Sequence, residues 1–86
     1  MTPPDWYVYM LECADGSLYT GIARDIDARL NKHNNGKASR YTRSRLPVKL
    51  VYCEAATDRS NASQREAEIK RLTRSAKLSL LSPAPD

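Results

Sequence analysis

The chain lacks phenylalanine altogether and contains only one histidine, one tryptophan and two cysteines among its 86 residues. Cys13 and Cys53 show no C-x-x-C spacing and no accompanying histidine cluster, so the sequence indicates neither a zinc site nor a disulfide framework. We expect both to be buried free thiols, because an unpaired cysteine packs as a small apolar side chain.

Long apolar runs are absent too. No stretch approaches the roughly 20 apolar residues needed to cross a membrane, and the sequence does not open with a signal peptide. We therefore expect a soluble protein in the cytoplasm. A chain of 86 residues suffices for one domain, which we place at residues 5–82. Residues 83–86 contain two prolines and are expected to form a frayed C-terminal tail.

Three segments have the composition of strands. The run at 6–11 is apolar and aromatic without alternation, which predicts a central strand covered on both faces. Asp15 and Gly16 supply a turn signal before an extended segment at 18–22, so the first two strands form a hairpin. A third strand is predicted at 48–54.

Helical signals fill the remaining segments. Asp25 or Asp27 can cap a short helix that ends before Gly36, and apolar residues recur at helical spacing after Thr57. Residues 37–47 show no period and are predicted to form a loop. The order is β-β-α-β-α(-α), an α+β domain with an antiparallel sheet.

Basic charge is concentrated in the middle of the chain. Residues 21–50 carry eight of the fourteen lysines and arginines but only two acidic residues. Polar and aromatic side chains lie between these bases, a mixture that suits phosphates and stacked bases, although it also fits an ordinary solvated surface. The candidate nucleic-acid-binding residues are Arg24, Lys37, Arg40, Tyr41, Thr42, Arg43 and Arg45.

Two polar side chains share the apolar face of the first helix. At about 100° per residue, His33 falls only about 20° from Ile26, and Arg29 lies one turn earlier. Such a histidine either satisfies a hydrogen bond in the core or takes part in chemistry.

A carboxylate lies close to the apolar stripe of the later helix. Glu66 is within about 60° of this stripe, whereas Glu68 is about 100° away. Half-buried carboxylates require a partner or a metal ion, so Glu66 is the candidate for chemistry. A structural ion pair with Arg65 is the alternative.

The sequence contains five tyrosines and no phenylalanine. Tyr9 and Tyr19 lie on the two strands of the predicted hairpin and can present both phenols to one face. A tyrosine hydroxyl must be hydrogen-bonded or used, and composition alone does not separate packing from chemistry.

The segments Tyr7-Val8-Tyr9 and Tyr19-Thr20-Gly21, followed by Arg29, His33 and Glu66, resemble the motif of the GIY-YIG nuclease superfamily in order and spacing. The similarity is to its small stand-alone bacterial members and extends from Asp5 to Leu81. It differs from the motif in having Tyr7 for glycine and Thr20 for isoleucine. The resemblance implies a three-stranded antiparallel sheet flanked by helices, in agreement with the predicted order.

The same resemblance assigns the catalytic residues, which are Tyr9, Tyr19, Arg29, His33 and Glu66. It implies Glu66 as the ligand of one Mg²⁺ or Mn²⁺ ion and no small-molecule cofactor. We favour Tyr19 as the base or water-positioning residue, with Tyr9 as its partner and His33 tuning both. Ile22 stands where excision-repair relatives have lysine, and no downstream asparagine is evident.

We therefore expect a metal-dependent endonuclease that cleaves DNA with little sequence preference. Single-stranded, nicked and branched DNA, and RNA as well, all remain open as substrates. The alternatives are a nucleic-acid-binding module with little or no cleavage and a protein-interaction domain whose basic segment meets an acidic partner.

Overall fold

A computed structural model describes residues 5–81. In chain order its elements are β1 (Trp6–Glu12), β2 (Leu18–Ala23), α1 (Ile26–Asn34), α2 (Arg40–Arg43), β3 (Lys49–Ala56), α3 (Arg59–Lys70) and α4 (Arg74–Leu81). The α+β class and the order of strands and main helices are confirmed. None of the helices in the described part of the chain is long and apolar enough to cross a membrane. The tail expected at 83–86 lies outside the described residues.

The strand β1 is at the centre of an antiparallel three-stranded sheet of order β2-β1-β3. Its register with β2 places Tyr9 opposite Gly21 and Leu11 opposite Tyr19. The pairing with β3 is irregular between Met10 and Leu11. The prediction of a central first strand is confirmed.

Alternate residues of β1 enter two separate cores, because successive side chains of a strand point to opposite faces. Val8 and Met10 belong to one, which α3 and α4 cover and which we call the apolar core; its buried members are Val8, Met10, Ala56, Ala62 and Ile69. The other, which we call the tyrosine core, packs against α1; its buried members are Tyr9, Leu11, Cys13, Ala23 and Val48.

The helix ends follow from capping side chains. Asp25 caps α1 by accepting a hydrogen bond from the Ala28 amide at 3.0 Å, and Asp58 caps α3 by accepting one from the Asn61 amide at 2.8 Å. Gly36, at φ 73°, lets the chain turn after α1 in a conformation that favours glycine.

The segment 37–47 differs from the predicted loop because it contains the one-turn helix α2. Ser39 caps this helix through the Tyr41 amide at 3.1 Å. Four residues span barely one helical turn, so no period was visible in the sequence. The third strand also runs two residues further than the predicted 48–54, to Ala56.

Both ends of this segment are joined by one side chain. The Asn34 amide nitrogen donates to the Val48 carbonyl at 3.0 Å, and its oxygen accepts from the Val48 amide at 2.9 Å. The last residue of α1 is thereby fixed to the residue that precedes β3.

The two cysteines have different environments. Cys13 is buried in the tyrosine core as expected, but Cys53 is exposed, so that prediction is wrong for Cys53. Cys53 lies on β3, an edge strand with a neighbour on one side only. An edge position leaves side chains less covered than a central one.

Candidate active site

Three rings of the tyrosine core form one cluster. The ring centroids of Tyr9 and Tyr19 are 6.5 Å apart, and the His33 ring lies 6.0 Å from Tyr9 and 5.2 Å from Tyr19. The hairpin brings both phenols to one face of the sheet, and α1 places the imidazole against them. The structure thus brings together three of the five predicted catalytic residues.

A glycine makes room for this cluster. A Cβ added at Gly21 would lie 2.5 Å from the Tyr9 hydroxyl oxygen and 2.7 Å from Tyr9 Cζ. No side chain fits at such distances without moving the Tyr9 ring. Gly21 is therefore required by the position of the phenol that lies across from it.

A chain of hydrogen bonds runs from Tyr9 into α2. The Tyr9 hydroxyl lies 2.9 Å from His33 Nε2, and His33 Nδ1 lies 2.8 Å from Thr42 Oγ1. The Thr42 hydroxyl in turn donates to the Ser39 carbonyl at 3.3 Å. Tyr9, His33 and Thr42 are all buried, so these bonds are shielded from competing water.

Burial and nearby charges alter the titration of this cluster. Burial raises the pKa of Tyr9 well above its usual value of 10, and the charges of Tyr19 and Glu66 raise this pKa further, while Arg29 opposes the rise. Burial, assisted by Arg29, lowers the pKa of His33. Arg29 and Glu66 therefore lie within electrostatic range of the Tyr9 phenol, and burial favours the neutral form of the His33 imidazole.

Glu66 occupies α3 as its helical phase predicted. Its side chain is 24% exposed and that of Glu68 is 60% exposed. The Glu66 carboxylate lies 3.5 Å from Lys70 Nζ, whereas Arg65 pairs with Glu54 and Glu68. The alternative of an Arg65–Glu66 ion pair is therefore wrong.

Glu66 supplies one half-buried carboxylate that a hard divalent cation could use as a ligand. Within residues 5–81, no three His, Cys, Asp or Glu side chains form a cluster that could hold a metal ion together. Mg²⁺ accepts one or two protein carboxylates and keeps water as its other ligands, so a single half-buried carboxylate is compatible with it. A site with two bridged metal ions would require more carboxylates than are present here.

Most of the predicted nucleic-acid-binding residues lie on the surface. Arg24, Lys37, Arg40 and Arg43 are exposed. Tyr41 is 38% exposed, and its ring stacks on that of Tyr19 at 6.0 Å with an interplanar angle of 27°. These five side chains are therefore accessible to solvent, and Tyr41 lies next to the ring cluster.

Two residues of the basic segment have other roles. Thr42 has no exposed surface, so the expectation that it contacts nucleic acid is wrong; its hydroxyl bonds His33 instead. The Arg45 guanidinium lies 3.9 Å from the centroid of the Tyr41 ring, donates to the Tyr41 carbonyl at 2.9 Å, and pairs with Asp15 at 3.0 Å. Arg45 thus holds α2 in place.

A cavity of about 270 Å³ opens beside Tyr19. Tyr41 lines it together with two cations that were not identified from the sequence, Lys70 and Lys77. The break between α3 and α4 separates these lysines, so no continuous helical face linked them to the motif. Arg29 lines a separate cavity of about 320 Å³ with Trp6, Arg24 and Lys32.

Comparisons with known proteins bear on the fold and the family of this chain. The model of the GIY-YIG catalytic domain matches residues 5–79. A UPF0213 protein of Staphylococcus epidermidis is 55% identical over 75 residues, covering 87% of this chain and 92% of that protein. A UPF0213 protein of Streptococcus agalactiae is 53% identical over 75 residues, covering 87% of this chain and 85% of that protein.

Two solution structures share the fold. The UPF0213 protein of Bacillus halodurans has a TM-score of 0.56 at 47% identity, covering 87% of this chain and 80% of that one. A protein of E. faecalis has a TM-score of 0.56 at 34% identity, covering 99% of this chain and 95% of that one. The chain therefore belongs to the GIY-YIG catalytic-domain family, and this membership points to nuclease chemistry on nucleic acid.

Proposed function

We propose that this chain, as one domain over residues 5–82, is a metal-dependent endonuclease that hydrolyses phosphodiester bonds in DNA with little sequence preference. The observation that carries the proposal is the buried Tyr9–His33 hydrogen bond beside Tyr19, with Arg29 and Glu66 in electrostatic range. A core that required only apolar volume would not bury a phenol and an imidazole together. We further propose that it acts in the cytoplasm.

Phosphodiester hydrolysis needs a deprotonated water, a neutralised phosphoryl group and a stabilised leaving oxygen. Glu66 would hold the Mg²⁺ or Mn²⁺ ion, which supplies positive charge to the phosphoryl and leaving oxygens when bound. Arg29 adds a permanent charge, and its planar guanidinium can donate two parallel hydrogen bonds to the scissile phosphate.

The two tyrosines have different environments, and we assign them different tasks. Tyr19 is only partly buried and lines the open cavity, so it can contact the attacking water as base or positioning residue. Tyr9 is 3% exposed and its pKa is raised, so it keeps its proton and shares it with His33 Nε2. Tyr9 therefore fixes the geometry beside Tyr19 and does not ionise alone.

We assign binding of the polynucleotide to the surface around the ring cluster. Lys70 and Lys77 line the cavity beside Tyr19, and Tyr41 offers a partly exposed ring for a base. Contacts of this kind address phosphates and ring faces, which all sequences share. Weak sequence preference follows.

The test is a cleavage assay on one panel of single-stranded, nicked, branched and duplex DNA, with RNA alongside, in Mg²⁺, in Mn²⁺ and in chelator. We expect cleavage that requires the metal and disappears in Glu66→Ala but persists in Glu68→Ala, whose side chain is on the exposed part of the same helix. Salt-sensitive binding with no cleavage of any substrate would contradict the proposal and identify a nucleic-acid-binding module.

A further inference from the structure

Thr42 is unlike its neighbours in α2. Tyr41 and Arg43 are exposed on either side of it, yet Thr42 has no exposed surface. Its Oγ1 lies 2.8 Å from His33 Nδ1 and 3.3 Å from the Ser39 carbonyl oxygen. A short surface helix thus sends one hydroxyl inward, to the imidazole that bonds Tyr9.

The direction of each hydrogen bond follows from the groups present. The Thr42 hydroxyl donates its single proton to the Ser39 carbonyl, which leaves Oγ1 as the acceptor for a proton on His33 Nδ1. A neutral imidazole carries one N–H, which leaves Nε2 bare. That nitrogen then accepts the proton of the Tyr9 hydroxyl at 2.9 Å.

We propose that Thr42 is a positioning residue that holds His33 in its Nδ1–H tautomer and thereby keeps the Tyr9 hydroxyl proton directed at His33 Nε2. The lone pairs of the Tyr9 oxygen are then left to accept hydrogen bonds from groups in the site. In the opposite tautomer, Nε2–H would donate to Tyr9, and the phenol proton would point into the site. A phenol proton in that position would hinder removal of a proton from the attacking water. This catalytic consequence rests on the proposed function, whereas the tautomer does not.

The tautomer can be measured directly, because His33 is the only histidine in the chain. Nitrogen-15 NMR of the full chain, at a pH where the imidazole is neutral, gives one signal for each ring nitrogen. We expect a protonated Nδ1 and an unprotonated Nε2 in the unaltered protein. The reverse pattern would overturn the proposal, and this result requires no variant to fold.

Matched variants then test the role of the hydroxyl. Thr42→Val keeps the shape and removes the acceptor, so we expect the Nε2–H tautomer to gain population. Thr42→Ser keeps the hydroxyl and should restore the original pattern. An unchanged tautomer in a folded Thr42→Val protein would contradict the assignment.

Cleavage supplies a second readout. We expect Thr42→Val to lower kcat about 10–100-fold at nearly constant KM, by analogy with the loss of a residue that orients a metal-bound histidine. Thr42→Ser should retain most of the rate. A fall in kcat with no change of tautomer would count against positioning. If the unaltered chain cleaves nothing, the proposed function fails while the tautomer measurement still decides the structural claim.

Discussion

The two cores on either side of β1 are built from alternate residues of the same strand, yet they differ in what holds them together. The apolar core receives Val8 and Met10, whose burial is favourable in any orientation that fills the space. The tyrosine core receives Tyr9, whose hydroxyl requires a partner at a defined distance and angle.

This difference separates stability from function within one thin sheet. Side chains of the apolar core tolerate exchange for others of similar volume. Those of the tyrosine core depend on a directional chain through His33 and Thr42, and truncation of any member leaves a buried group unpaired. Variants on the two faces should therefore fail in different assays.

The largest effect is expected at Glu66, which lies on a helix of one core and acts on a residue of the other. Glu66 is on α3, which covers the apolar core, yet its charge acts on Tyr9. Glu66→Gln keeps the shape and removes the charge, so metal-dependent cleavage should fall below detection with little change in the unfolding midpoint. Glu68→Gln is the matched control, and equal losses in both variants would refute the role of Glu66.

The second effect concerns the two phenols. Tyr19→Phe should lower the cleavage rate about 10²–10⁴-fold, the usual range for loss of a general base, at nearly constant affinity for nucleic acid. Tyr9→Phe should be impaired as well, and the double variant should fall little further, because groups that act as a unit are not additive.

Tyr52→Phe controls for loss of a hydroxyl on the other face. Tyr52 packs against the apolar core and donates to Glu54 at 3.0 Å, so its substitution should cost only about 0.5–1.5 kcal/mol of unfolding free energy. Cleavage by Tyr9→Phe and Tyr19→Phe at the unaltered rate would remove the functional distinction between the two faces.

The third prediction tests the apolar core itself. Met10 is fully buried there, and Met10→Ala should lower the free energy of unfolding by about 2–5 kcal/mol in urea denaturation. The cleavage rate per folded molecule should stay within about twofold, because the Met10 side chain belongs to the apolar core and not to the tyrosine core. A specific loss of rate at full folding would show that the two cores are coupled.

A smaller effect is expected from the exposed bases beside the tyrosine core. Reversing charge at Lys37, Arg40 or Arg43 should reduce the salt dependence of binding by about one unit per lost phosphate contact, equally for all sequences. Arg71→Glu is the control, because Arg71 lines a groove between β3 and α3 with Glu54. If only Arg71→Glu changes the salt dependence of binding, the nucleic acid binds in that groove instead.

The smallest effect should be a gain. Thr20 takes the place of the isoleucine of the resembled motif, and its buried Oγ1 has no hydrogen-bond partner in the part of the chain described. Thr20→Val removes this unpaired hydroxyl and should raise the unfolding free energy by about 1 kcal/mol in urea denaturation. A loss of stability would show that the hydroxyl is satisfied by water.

Local patterns were sufficient to predict most of the fold. The uninterrupted apolar run of β1 indicated a central strand, and the hairpin placed Tyr9 and Tyr19 on one face because strand side chains alternate. The fixed rotation per residue of a helix likewise predicted that Glu66 is less exposed than Glu68.

The remaining features depend on contacts between distant residues. Thr42 meets His33 only because the chain folds back after α1, and its sequence neighbours are polar and exposed. The local sequence around Gly21 indicates only the end of a strand. Its role in the structure is to leave space for the Tyr9 phenol on the neighbouring strand. No periodicity within one segment carries this information.

The paired hydrogen bonds from the Asn34 amide to Val48 close residues 35–47 into a loop with fixed ends. The entropy cost of closing such a loop grows only slowly with its length. Lengthening or replacing the stretch at 37–38 should therefore be tolerated while α2 and Thr42 stay in register. Residues 37–38 are therefore the part of this segment whose length can change without displacing α2 or rebuilding the sheet.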